Sequence, residues 1–469
     1  MDLINSKSSI KRFGPASFYA KALKIALPVM AQALVQNLVS LIDNFMVSGL
    51  GDVKMSGVNI SGQIIFLFIV LLSTICTAAG IFMTQFSGAE DSDGMRQSFC
   101  FKLWFGIAIA AIFMFACMVF PKKVLSFMVK GNADSGLILE EGAKYLFVIA
   151  WTAFPIVLST IAATSMREIG EVKIPLYISI AATLVNTFFN WVLIYGNLGA
   201  PRLEVRGAAL ATVIARSAEA VSFLAFIALK KPPFAIRASD FFHVNFSLFK
   251  QICLRASMST CSEMLWAVAE TITVALYNGR GGSEVVSGMS ASFAISNLFF
   301  VAFGGIITAT SVIVGKSLGR GELENARKEK VWLLNGANVF GVMMTGLGLL
   351  TIALVPLVFK NLSGEAQGIC KRMVFVMALY MPAWVYINGQ FSVSRAGGDT
   401  VMGMLVDGIS NVFIVIPGIF FMAKFTSLGP VAMYAIIKAV EFPKIFIATI
   451  WLKKERWLVN LAAKGLSNP

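Results

Sequence analysis

Between Leu103 and Phe120 the chain reads LWFGIAIAAIFMFACMVF, eighteen consecutive residues without a single charge. A run of about this length is what a helix needs to cross the hydrocarbon core of a bilayer. Similar stretches recur along the whole chain. We read twelve of them, at about 22–50, 57–85, 101–120, 143–166, 174–196, 206–229, 250–278, 286–316, 330–358, 372–394, 401–423 and 428–452. Composition agrees: 57% of the 469 residues are hydrophobic, only 14% are charged, and mean hydropathy is +0.78. A soluble domain carries about 25% charged residues. The expected fold class is therefore an all-α polytopic membrane protein with twelve transmembrane helices.

The net charge of +14 raises nucleic acid as a partner, but the distribution of the charges points elsewhere. With the N-terminus and every second loop placed inside, 24 Lys and Arg fall on that side and 12 outside, while Arg216, Lys438 and Lys444 lie in or near spans. Such a bias is the positive-inside rule, and it places both termini in the cytoplasm of a cell whose inner membrane holds the chain. The inside cations include Lys7, Lys11 and Arg12, the run KKPPFAIR from Lys230, and LKKERW near the end. The expected partners are thus a lipid bilayer and a small molecule, with no nucleic acid.

Six cysteines form no CxxC pair and sit mostly in apolar spans, so they read as small core residues rather than metal ligands. The lone histidine, His243, lies in the central loop and cannot build a metal cluster. No short cleavable signal precedes the first span, which can itself serve as the insertion signal. GxxxxGK[ST], HExxH and GxSxG are all missing from the sequence, so no enzyme activity, ATP hydrolysis or cofactor is expected. Uphill transport by such a chain must draw on an ion gradient.

The second half repeats the first. A shift of 231 residues lays Ser287–Lys328 on Ser56–Gln97 with identities at 12 of 42 positions, among them Gly57, Gly88 and Arg96. The block GAALATVIARSAEA from Gly207 likewise matches GPVAMYAIIKAVEF from Gly429 in its Gly, a basic residue and Glu. Each half then holds six spans in the same orientation, a parallel repeat of the kind found in one class of secondary transporter. The expected organisation is an N-lobe over 1–229, a cytoplasmic inter-lobe loop over 230–249 and a C-lobe over 250–469, around a central cavity. One chain contains both halves of the pathway, and a monomer is expected.

An ionised side chain at mid-bilayer costs at least ~2.5–3.5 kcal/mol, so each asks for a partner or a purpose. In the first span Gln32, Gln36, Ser40 and Asp43 share one helical face, which must look into protein or water. In the fifth, Asn186 and Asn190 lie one turn apart, and in the sixth Thr212, Arg216 and Glu219 share a face. A carboxylate among amides and hydroxyls can bind H⁺ or Na⁺ on one side of the membrane and release it on the other. Asp43 is the expected coupling acid, with Asn186, Asn190 and Thr212 around it, and Gln32, Gln36 and Ser40 line the cavity. The alternative is that Asp43 is a satisfied polar residue that fixes helix packing.

Arg216 with Glu219, and Lys438 with Glu441, are three residues apart and read as structural ion pairs. The seventh span carries Glu263 and Glu270 on one face with no basic residue between them, a second candidate cation or substrate site. Allowing a four-residue insertion near Tyr277–Arg280, the repeat sets Glu270 on Asp43 and Glu263 on Gln36.

These features together resemble the multidrug and toxic compound extrusion (MATE) family, in its DinF- and NorM-like bacterial types. The matching stretches are ALPVMAQALVQNLVSLIDNFMVSGLG from Ala26, MREIGEVKIPLYISIAATLVNTFFNWVLIYG from Met166, VRGAALATVIAR from Val205, VIVGKSLGRGELENARK from Val312 and SRAGGDT from Ser394, with the tail from Glu441. They span nearly the whole chain. The resemblance implies two six-helix lobes and an antiporter that exports organic cations and other toxic compounds in exchange for H⁺ or Na⁺. It maps the family's N-lobe acid onto Asp43, its paired asparagines onto Asn186 and Asn190, its polar GAALAT position onto Thr212, and its span-seven acid onto Glu263. The chain departs from the NorM branch at Trp384, where that branch has an aspartate, and at Ser257, close to a usual proline. The alternatives are a lipid-linked precursor flippase, which needs several cavity cations for a pyrophosphate, and a membrane receptor or scaffold that transports nothing.

Overall fold

The computed structural model describes residues 11–50, 52–126, 135–237, 240–242, 244–360 and 362–465. Lys7 and His243 lie outside the described residues. The chain is all-helical, with no strand among the described residues. The helices of the first half are α1 (Ala16–Ser48), α2 (Asp52–Gly88), α3 (Ser92–Val119), α4 (Pro121–Ser126), α5 (Ser135–Ile149), α6 (Ala153–Glu168), α7 (Lys173–Tyr195) and α8 (Glu204–Lys230). Those of the second half are α9 (Phe246–Asn278), α10 (Ser283–Phe300), α11 (Ala302–Gly319), α12 (Leu323–Thr351), α13 (Val355–Val358), α14 (Gly364–Ala396), α15 (Ile416–Phe425), α16 (Pro430–Lys438), α17 (Glu441–Lys453) and α18 (Leu461–Gly465).

Ten helical stretches among the described residues are long and apolar enough to span a bilayer, so this is a multi-pass membrane protein. The two other expected spans, 250–278 and 428–452, are helical but differ in character. Helix α9 carries Arg255, Glu263 and Glu270, and the last span breaks at Ala439–Val440 into α16 and α17. Both departures put charge or a helix end where an unbroken lipid-facing helix has neither.

Local chemistry sets the helix ends. The Asp91 carboxylate accepts from the N–H groups of Asp93 and Gly94 to cap α3. Gly196 closes α7 in the left-handed region at φ 78°, which an L side chain rarely adopts. Between α14 and α15 the backbone is wound wider: Gly403–Gly408 and Asn411–Val415 are π-helical turns, a distortion that often accompanies functional sites.

The described chain forms two compact units. One comprises residues 31–83 and 91–252, the other residues 11–30, 84–90 and 253–465. The halves expected from the sequence differ from these units in two respects: the first turns of α1 and the last of α2 join the second unit, and the inter-lobe loop with the first turns of α9 joins the first. The reason at α1 is aromatic. Phe18 is buried with its ring edge-on to Trp332 at 5.1 Å, and the Tyr19 hydroxyl donates to the Trp332 carbonyl at 3.1 Å.

Within the first unit Leu72, Val157, Ile161, Ile194 and Ala209 are fully buried, and Phe68 stacks on Phe113 with ring centroids 4.5 Å apart. The connector between the halves is pinned there as well: Phe241 stacks on Trp104 at 4.7 Å and its carbonyl accepts from the indole N–H at 3.0 Å. In the second unit α14 supplies a fully buried methionine row, Met373, Met377 and Met381, that fills the core.

The repeat is visible in the helix bounds. Helices α1 and α9 are each 33 residues long, and α2 is matched by α10 and α11 with both ends 231 residues further on. Helices α1 and α9 stand 230 residues apart and the starts of α2 and α10 stand 231 apart, so one residue rather than the four expected near Tyr277–Arg280 is inserted, and Glu270 does not fall opposite Asp43. Gly57 and Gly288, identities in the repeat, also do the same work. A Cβ on Gly57 would lie 2.7 Å from the Gly142 nitrogen, and one on Gly288 would lie 2.7 Å from the Ala366 carbonyl oxygen. Both positions let two helices cross backbone to backbone.

Overpacking such a contact costs roughly 1–3 kcal/mol. Gly288→Val should therefore lower the thermal unfolding midpoint of the detergent-solubilised protein. Gly62→Val faces open space and should leave it close to wild type. Equal midpoints for the two variants would refute the close crossing.

Candidate functional site

In the first unit, three helices bring polar side chains to one place. The Asn190 amide on α7 donates to the Asp43 carboxylate on α1 at 2.6 Å and to the Asn186 carbonyl oxygen at 3.2 Å. Asn186 in turn donates to the Thr212 hydroxyl on α8 at 3.4 Å. Asn186 and Asn190 are buried, and the Asn190 side-chain carbonyl oxygen has no hydrogen-bond partner among the described residues. A buried amide oxygen without a donor is unfavourable by roughly 1–3 kcal/mol, so its place beside a carboxylate calls for a cation or a water.

A second network runs beside the first. Gln32 donates to the Ser179 hydroxyl at 2.8 Å, Ser179 donates to Glu219 at 3.3 Å, and Arg216 donates to Glu219 at 2.7 Å. Arg167, in the last turn of α6, reaches the Gln32 oxygen at 3.5 Å. The expected Arg216–Glu219 pair is thus formed. Gln36 and Ser40 join neither network: both are exposed, and the Ser40 hydroxyl donates to the Gln36 carbonyl of its own helix.

The second unit carries a half-open cavity of about 590 Å³, within the usual range of small-molecule pockets. Its wall carries both expected acids. Glu263 lies 3.8 Å from Arg395, and Glu270 accepts from Lys438 at 2.8 Å. Lys438 is therefore not paired with Glu441, as its spacing led us to expect. Glu441 is held instead by Lys444 at 3.3 Å, and Lys444 also donates to Asp407 at 2.9 Å. The i,i+3 rule fails here because α16 ends at Lys438 and the chain turns at Ala439–Val440 before α17 begins, so the two residues do not share a helix.

Sequence reasoning placed Lys444 near a span without giving it a partner, and passed over Asp407 and a further buried pair, Lys102 with Glu168. Lys102 is fully buried and also donates to the Ser165 hydroxyl at 3.1 Å. Each could have been found as a charge inside an apolar run, in MLVDGIS, FPKIF and CFKLWF. Asp407 sits in the first wide turn, and Asn411, opening the second, donates to it at 3.2 Å. The two units also share a device. Gln32 on α1 and Glu263 on α9 each face an arginine in the last turn of a helix, Arg167 on α6 and Arg395 on α14.

Carboxylates inside apolar helices, held by amides in one unit and facing a half-open cavity in the other, define a membrane transporter rather than an enzyme. The MatE family model matches residues 28–192 and 256–421, and the chain belongs to that family of transporters. Among curated relatives, the probable multidrug resistance protein NorM of Thermotoga maritima is 23% identical over 415 residues, covering 87% of this chain and 86% of the relative. A protein of the same name from Halalkalibacterium halodurans is 24% identical over 426 residues, with 87% and 88% covered. Solved structures share the fold. A MATE transporter in complex with MaL6 superposes with a TM-score of 0.82 at 18% identity, covering 93% of this chain and 95% of the other. An outward-facing multidrug resistance MATE transporter gives 0.79 at 16% identity, with 96% of both chains covered.

The Lys444 ammonium, 3% exposed, is the sole counter-charge that the described ion pairs give Asp407 and Glu441. Removing one partner of such a buried set costs about 3–5 kcal/mol. Lys444→Met should lower the unfolding midpoint sharply, and the triple variant with Asp407→Asn and Glu441→Gln should recover most of the loss. A Lys444→Met protein as stable as wild type would show that the triad contributes little.

Proposed function

We propose that the protein is a multidrug efflux antiporter that exports organic cations and other toxic compounds in exchange for H⁺ or Na⁺. The observation that carries this reading is the Asn190 side-chain oxygen, buried and without a donor, one hydrogen bond away from the Asp43 carboxylate. A carboxylate, amide oxygens and the Thr212 hydroxyl, supplied by α1, α7 and α8, form an oxygen-rich set suited to a hard monovalent cation. Protonation of Asp43 answers the same need, because a neutral acid donates to the free amide oxygen. Oxygen ligands alone accommodate both ions, and the choice between them belongs to the gradient experiment.

Coupling follows from differential affinity. The ion favours one arrangement of the helices that carry its ligands, the substrate favours another, and each shifts the population away from the other. The arrangements open to opposite faces of the cytoplasmic membrane, with both termini inside and one chain sufficing for the cycle. The names of the relatives, multidrug resistance proteins of the NorM type, support export as the direction. A flippase for a lipid pyrophosphate requires cations free to meet it. The cations of the cavity wall are committed instead: Arg395, Lys438 and Lys444 each face a carboxylate.

Everted vesicles loaded by imposing a pH gradient or a Na⁺ gradient separately test the reading with a fluorescent organic cation. Wild type should move dye under one gradient, and that gradient identifies the ion. Asp43→Asn should reduce the driven flux to the passive background while leaving protein levels unchanged. Normal driven flux in Asp43→Asn would make Asp43 a packing residue and sink the proposal.

A further inference from the structure

Arg216 stands between two carboxylates of the first unit. Its Nη1 donates to Glu219 at 2.7 Å. Its charge also reaches Asp43, whose own hydrogen bond comes from the neutral Asn190 amide. Thr212, one turn before Arg216 on α8, belongs to the Asp43 cluster through Asn186. One face of α8 therefore carries a member of that cluster, then a cation, then the acid that holds the cation.

Side chains on a helix lean toward its N-terminus. For Arg216 that direction is toward Thr212 and the Asp43 cluster, and the bond to Glu219 draws it the other way. Glu219 is well anchored for this task. It is buried, and its other oxygen accepts from the Ser179 hydroxyl at 3.3 Å, which itself accepts from Gln32 at 2.8 Å. Helices α1 and α7 thus fix the carboxylate from outside its own helix. Arg216 is the looser member: its side chain is 38% exposed against 6% for Glu219, and Nη1 alone makes the contact.

A guanidinium released from Glu219 does not stay alone, because an unpaired charge in this setting is the costly outcome. Asp43 is the carboxylate its charge already reaches, and that acid is held by a neutral group. The other groups facing the two acids offer no substitute. Tyr145 on α5 lies near Asp43 but brings no positive charge, and Arg167 on α6 is turned to Gln32. Tethered one turn from Thr212, Arg216 competes for Asp43 at a high effective concentration, against any ion that arrives from solution.

We propose that Glu219 is a positioning residue for the ion site: by holding Arg216 it keeps a tethered cation off Asp43 and leaves that carboxylate to the coupling ion. The proposal rests on the reading of Asp43 as the coupling acid and adds the device that sets its affinity.

The test measures ion binding without transport. The thermal unfolding midpoint of the purified full-length protein in detergent is followed against NaCl at fixed pH, with choline chloride as control, and against pH without Na⁺. An ion that binds the folded state raises the midpoint, and its half-saturating concentration reports affinity. The part of the response lost in Asp43→Asn belongs to the site. Glu219→Gln should need roughly tenfold more ion, the size of one partly buried charge contact. Adding Arg216→Gln to it should bring the half-saturating concentration back near wild type, and Glu219→Asp, which still offers Arg216 a carboxylate, should stay near it. A purely structural role would lower the midpoint at every ion concentration without moving half-saturation. Unchanged half-saturation in Glu219→Gln, or a double variant as weak as Glu219→Gln, overturns the proposal while leaving Asp43 as the coupling acid. A full ion response in Asp43→Asn overturns both. Should Glu219→Gln fail to fold, Arg216→Gln decides: with the competitor gone the ion should bind at least as tightly as in wild type, and weaker binding refutes the competition.

Discussion

A charge moved from water into hydrocarbon loses its solvation, and at a helix centre this is unfavourable by at least ~2.5–3.5 kcal/mol. Much of the interior of this protein is arranged around that cost. Asp43 is held by an asparagine amide, Glu219 by an arginine and a serine, and Lys102 by Glu168 and a serine. In the second unit Lys444 holds two acids together. Each of these solutions ties specific helices to one another as a by-product of satisfying a charge.

The two units meet the constraint in different ways, and the difference carries the functional argument. The first unit surrounds its acid with neutral donors and acceptors. Such an environment leaves the carboxylate open to a small cation, and the Asn190 side-chain oxygen is left without a donor beside it. The second unit surrounds its acids with tethered cations. A duplicated fold can keep its packing contacts while its polar positions diverge. Gly57 and Gly288 keep the same crossing in both halves. Gln32 on α1 and Glu263 on α9 each face an arginine, yet one is neutral and the other charged.

Much of this was legible in the residues. Hydrophobic runs announced the helices, since an uncharged stretch of eighteen residues has few other stable uses. Asp43, Asn186, Asn190 and Thr212 could be grouped before any coordinates existed, because each is a polar residue on a helix otherwise apolar and their spacings put them on single faces. Arg216 and Glu219 were legible for the same reason: they share one continuous helix. Where two opposite charges pair across different helices the reading failed. Lys438 was assigned to Glu441 three residues away, but its ammonium meets Glu270, 168 residues distant in sequence. Gln36 and Ser40 lie on the expected stripe of α1 and yet remain exposed.

The sequence by itself therefore determined the class of protein, the approximate positions of its helices, the existence of a repeat and the polar cluster around Asp43. These follow from local rules of hydrophobic length, helical period and the penalty on intramembrane charge, which act on neighbours in the chain. The tertiary structure alone decided which charge answers which. Pairing across helices depends on how α9, α14, α16 and α17 pack, on the wide turns around Asp407, and on a break at Ala439–Val440 that separates two residues nominally one turn apart. Such geometry is set by many weak packing contacts at once, and no short stretch of sequence contains it.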